Sequence, residues 1–84
     1  SNAMYIADFS NHRIQRHVLG SVIGTTIAGQ ANGVGGSTAY DLITPTFVLI
    51  DAQGNLYVSD TGNHRIQLFR NGNLSGITVA GTGQ

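Results

Sequence analysis

The side chains that could do chemistry in this chain come as two sets: Asp8, Asn11, His12 and Arg13, then Asp60, Asn63, His64 and Arg65. A carboxylate, an amide, an imidazole and a guanidinium within six positions could move a proton, hold a cation or grip an anion. The repetition argues for a structural use instead. The pentapeptide Asn-His-Arg-Ile-Gln stands at residues 11–15 and again, unchanged, at 63–67, so the copies lie 52 positions apart. The match extends without a gap from residues 4–32 onto 56–84, keeping Tyr5/Tyr57, Gly20/Gly72, Gly24/Gly76, Thr26/Thr78, Ala28/Ala80 and Gly29/Gly81. Self-similarity at a fixed period marks a repeat architecture, and repeats keep residues in every copy for packing first.

On that reading Asp8 and Asp60, with Asn11 and Asn63, cap a strand-to-strand turn by accepting from and donating to nearby backbone. Arg13 and Arg65 each offer a planar fork of donors to the adjacent Asp or to backbone carbonyls of a neighbouring unit. One departure stands out in the turn: Thr61-Gly62 of the second copy is Phe9-Ser10 in the first. A left-handed residue at Gly62 is therefore not expected at Ser10. His12 and His64 are a whole repeat apart with no local carboxylate–histidine cluster, whereas zinc sites bring three or four close ligands. No metal and no cofactor are expected. His17 takes the place of Phe69 and reads as an aromatic-sized surface slot.

Bulk composition narrows the partners. The chain has 84 residues, four Arg against four Asp, and neither Lys nor Glu. A neutral balance gives no electrostatic reason to expect nucleic acid or an anionic membrane surface. No Cys is present, which excludes disulfides and thiolate metal sites. No apolar run approaches the length of a spanning helix, and none reads as a signal peptide. Residues 1–3, Ser-Asn-Ala, look like a protease-cleavage scar from a tag. Asn73-Leu74-Ser75 fits a glycosylation sequon weakly.

Twelve Gly and many β-branched residues, with no helical period, predict an all-β chain of short strands and tight turns. Residues 4–8 read as a strand with Met4 and Ile6 on one face, 12–18 as a second, and 24–28 as a third. From 30 to 44 the composition shifts to Gly, Ser, Thr, Asn and Ala, a connector anchored near its end by Leu42 and Ile43. Phe47-Val48-Leu49-Ile50 is an uninterrupted apolar run, which predicts a strand buried on both faces. Residues 51–55 form a hairpin loop, with Gly54 supplying positive φ. Residues 56–60, 64–69 and 76–80 then repeat the first three strands. The division is a partial unit at 4–29 (three strands), a Gly-rich connector at 30–44, and a complete unit at 45–84 (four strands).

A four-stranded antiparallel meander led by its most apolar strand, at a period near 50, is the unit of a β-propeller. The residues are closer still to one family. Pro45-Thr46-Phe47-Val48, then Asp51-x-x-Gly54-Asn55-Leu56-Tyr57-Val58-x-Asp60-Thr61-Gly62-Asn63-His64-Arg65-Ile66-Gln67-Leu68-Phe69, resembles the NHL repeat almost position by position. The resemblance covers residues 4–28 and 44–83, and implies propeller blades rather than one activity.

Three functions follow as expectations. The first is a non-catalytic propeller scaffold that binds protein or another ligand, with Tyr40 and Asp41 on the connector as the binding loop because exposed aromatics anchor interfaces. The second is a piece of an enzymatic propeller of lyase or hydrolase type, its catalytic residues elsewhere. The third, single-stranded RNA binding, is disfavoured by the neutral charge. Asp41 itself reads as a solvated loop carboxylate. One partial and one complete blade cannot close a ring and would leave apolar faces uncovered, so either the chain is a segment of a longer propeller or about three chains complete one. The place of the first blade's missing strand is left open, filled by nothing, by residues 37–43, or by another chain.

Overall fold

The computed structural model describes residues 3–81; the first two scar residues and positions 82–84 of the second unit lie outside the described residues. Seven strands form two antiparallel sheets. The first holds β1 (Ala3–Asp8), β2 (Arg13–Val18) and β3 (Gly24–Gly29), in that order. The second holds β4 (Pro45–Ile50), β5 (Leu56–Asp60), β6 (Arg65–Phe69) and β7 (Ile77–Gly81). Within each sheet every strand neighbours the next in sequence, as short hairpin loops require. β1 and β2 pair in register from Ala3 opposite Val18 to Asp8 opposite Arg13. In the second sheet the same pairing runs from Leu56 opposite Phe69 to Asp60 opposite Arg65. Both sheets carry a bulge at the same place, the extra residue being Ile27 of β3 opposite Ile14–Gln15 and Val79 of β7 opposite Ile66–Gln67.

The two sheets meet face to face, with β4 against β1. Their shared core is Ile14 and Ala28 from the first sheet, Leu56, Val58 and Phe69 from the second, and Leu42 from the connector. Tyr5, Ala7, Ile27 and Val48 pack around it. Leu42 is fully buried between the sheets, and a truncation to Ala there would remove about 2–5 kcal/mol. The connector is thus part of the packing.

Two strand expectations change. Met4 and Ile6 do share a face of β1, but that face is exposed; Tyr5 and Ala7 face the core. In β4 only Pro45 and Val48 are substantially covered, while Phe47, Leu49 and Ile50 are exposed. An apolar run buried on both sides needs a neighbour on both sides, and β4 has one.

Candidate functional site

The repeated polar residues converge at one end of each sheet. In the second, Asp60 closes β5, residues Thr61–Asn63 make a single turn of 3-10 helix, and Arg65 opens β6. The turn reverses the chain through His64, which sits in the left-handed region at φ 55° and donates its N–H to the Thr61 carbonyl at 3.1 Å. His12 does the same in the first sheet at φ 54°. His tolerates this region better than most residues with a Cβ. The expected difference between the two turns is therefore absent, because neither uses position 62 or 10 as its left-handed residue.

Gly62 serves a different need. A Cβ there would lie 2.3 Å from Ile43 Cγ2 and 2.7 Å from the Ile43 carbonyl oxygen. The bare backbone lets the Gly62 N–H donate to that carbonyl at 2.8 Å. The Ile43 N–H in turn donates to Asp60 Oδ1 at 2.7 Å. The incoming chain is clasped by its own backbone.

Asp60 and Arg65 are the centre of this clasp. Asp60 Oδ2 accepts from Arg65 Nε at 2.7 Å and from Asn63 Nδ2 at 3.0 Å. Arg65 Nη1 donates to the Ser37 carbonyl at 3.1 Å, and Nη2 to the carbonyls of Thr38 and Asp41, both at 3.0 Å. Asn63 Nδ2 also donates to the Gly36 carbonyl at 2.8 Å. Asp60, Asn63 and Arg65 are all buried, and no buried side-chain nitrogen or oxygen among the described residues lacks a partner. Arg65 thus pairs with Asp60 as expected, but the carbonyls it holds belong to the connector and not to a neighbouring unit. A carboxylate holding three donors and a guanidinium holding four oxygens have little capacity left for a substrate.

The first sheet repeats the pair in a more open form. Arg13 Nε donates to Asp8 Oδ2 at 3.0 Å, Asn11 Nδ2 to both Asp8 oxygens at 3.2 Å, and Arg13 Nη1 to the Ala31 carbonyl at 2.8 Å. The Arg13 and Asp8 side chains remain about a quarter exposed. His12 has a use that the sequence did not signal: its Nδ1 accepts the Thr44 N–H at 2.9 Å and so fixes the chain just before β4. His64 is exposed. Among the described residues no three of His, Cys, Asp and Glu come together as metal ligands would.

Residues 30–44 form a shaped loop held by both sheets and do not pair with β1, which leaves the first sheet three-stranded. Asp41 is its organiser, contrary to the solvated role expected of it. Its carboxylate accepts from Thr38 Oγ1 at 2.7 Å, from the Thr38 N–H at 3.2 Å and from Gln30 Nε2 at 2.9 Å. The Thr38 hydroxyl and then Gln30 hold this carboxyl below the usual carboxylate range. Asp51 is held below it in the same way, chiefly by the Asn55 N–H, in the hairpin where Gly54 takes φ 83° as expected. The Ala39 carbonyl accepts the Gly76 N–H at 2.6 Å, tying the loop to the start of β7. Tyr40, beside these anchors, is exposed.

At the other end of the sheets an open cleft of about 390 Å³ separates Tyr5 and Arg16 from Ile50, Phe69 and Arg70. Arg16 and Arg70 form no ion pair among the described residues, in keeping with their place outside the turns.

Residues 42–69 match the family model of the NHL repeat. No curated protein matches the chain. The matched stretch begins at the buried Leu42 and at Ile43, which Asp60 and Gly62 hold, and ends with β6, so it takes in the whole Asp60–Asn63–Arg65 centre. The chain thus carries an NHL repeat at residues 42–69, and its first sheet copies the polar centre of that repeat residue for residue.

Proposed function

We propose that the chain is a non-catalytic propeller module that binds a protein or peptide ligand through its connector. The observation that carries this reading is the connector itself. Arg65 and Asn63 hold its carbonyls, and Asp41 holds its turn, so the exposed ring of Tyr40 projects from a pre-organised backbone. A rigid loop bearing an exposed aromatic loses little entropy on binding and supplies a large contact area. The repeated Asp, Asn and Arg residues support a structural role by the saturation of their hydrogen bonds.

The test is a peptide-display selection against the purified chain. Enriched peptides should lose at least tenfold in affinity for Tyr40→Ala while still binding Phe9→Ala, which removes an exposed aromatic far along the sequence. Peptides that bind both variants as well as the wild type would place the contact elsewhere and overturn the proposal.

A further inference from the structure

Residues of like type occupy equivalent places in the two sheets, yet several differ in burial. On the face of the second sheet that meets the first stand Leu56, Val58, Asp60, Arg65, Gln67 and Phe69, all buried. Their counterparts Met4, Ile6, Asp8, Arg13, Gln15 and His17 lie on the outer face of the first sheet. Met4 is 52% exposed where Leu56 is 5%, and Ile6 39% where Val58 is 0%. The other pair of faces mirrors this. Ile14 and Ala28 are fully buried against the second sheet, whereas Ala80 is exposed and Ile66 partly so on that sheet's own outer face. Tyr57 and Val79 are likewise exposed, beside Phe47 and Leu49 of β4.

Local geometry is copied as well as residue type. The ring of His17 lies over Gly24 as that of Phe69 lies over Gly76: an added Cβ would come within 2.3 Å of the first and 2.8 Å of the second. The Thr26–Gln15 hydrogen bond recurs as Thr78–Gln67. The bulges at Ile27 and Val79 also correspond.

The chain therefore makes one sheet-to-sheet interface internally and carries both halves of a second, unmade one. We infer that these outer faces bind a second copy of the chain head to tail, the Met4/Ile6 face of one copy seating on the Ile66/Ala80 face of the next as Leu56/Val58 seats on Ile14/Ala28. Such a contact is heterologous, each copy offering one of each face, and it closes when the rotation per sheet divides the circle. Propellers hold about four to eight blades, so two sheets per chain give about two to four copies. The first sheet has no strand matching β4. The inference rests on reading the sheets as propeller blades, and its test reads mass alone, so loss of Tyr40-dependent binding would leave it standing.

The experiment is light scattering coupled to size exclusion on the whole chain, with Ile6→Arg and Ala80→Arg as variants. Both positions are exposed, so each variant keeps its β circular-dichroism spectrum while one outer face is blocked. The wild type should run at a discrete mass of about two to four chains, and each variant alone at the mass of one chain, 8.8 kDa. A one-to-one mixture of the variants should recover a two-chain species, because the free head of one meets the free tail of the other. A folded wild type at 8.8 kDa at every concentration overturns the inference. So does a variant that stays associated by itself, which would mean that like faces pair with like.

Discussion

Arg65 donates to Asp60 and to three connector carbonyls from a buried position, while Arg13 makes the same ion pair with its side chain a quarter exposed. Removing one partner of a buried pair leaves a stranded charge and costs about 3–5 kcal/mol. An exposed pair contributes only about 0.2–1 kcal/mol. Arg65→Met should therefore lower the urea midpoint severely or prevent folding at 25 °C, and Arg13→Met should shift it slightly. Equal shifts would contradict the assignment of the clasp to the second sheet. Asp41 supports a pH argument. Its folded carboxyl titrates below its ordinary value because Thr38 and Gln30 bond the charged form. A depressed folded pKa contributes stability that is present above the unfolded value and is lost as pH falls through the folded one, here below about pH 4. Melting temperatures measured from pH 7 to pH 3 should fall less steeply for Asp41→Asn than for the wild type. At this scale the repeat pointed to Asp60, Asn63 and Arg65 as turn residues but not to their bonds: Asp60 and Asn63 reach Ile43 and Gly36 of the connector and do not cap the turn's own backbone. The sequence placed Asp41 in a binding loop as a solvated carboxylate and gave no sign of its bonds or of the use of His12 Nδ1, because the partners Thr38 and Thr44 lie in a stretch without a second copy.

The strand-to-strand turns show what an element adds to its residues. Glycine can be required for a positive φ or for a close approach, and the sequence pattern does not separate the two. At Gly54 the first reason holds; at Gly62 the second does, since the left-handed residue of that turn is His64. Gly62→Ala should destabilise the chain by about 1–3 kcal/mol through overpacking against Ile43, whereas Ser10→Ala, at the matching place in the first sheet, should be close to neutral in the same urea titration. A similar cost at both positions would mean that turn conformation, not the approach of Ile43, decides the glycine. The strand order, the hairpins and the boundaries near residues 45, 56 and 65 were legible from alternation and turn residues. The connector's course was not: its carbonyls are held by side chains 24–28 positions further along, a contact with no local signature.

Across the whole molecule the same alternation of side chains meets two different surroundings. Leu56 and Val58 are covered by the first sheet, and their counterparts Met4 and Ile6 face solvent; Ile14 and Ala28 are covered by the second sheet, and Ala80 is not. Exposed apolar faces of this kind lie on both sides of the pair of sheets, and the head-to-tail contact proposed above would cover both with one geometry. The sequence by itself determined the repeat, the all-β meander, the NHL character and the residues of the polar centre, because each is written in local spacing and recurs at 52 positions. Only the tertiary structure decided which copy of each residue is buried, where the connector lies, and which of the two clasps is closed. Burial depends on what stands opposite a face, and two identical strands read the same until one of them has a neighbour.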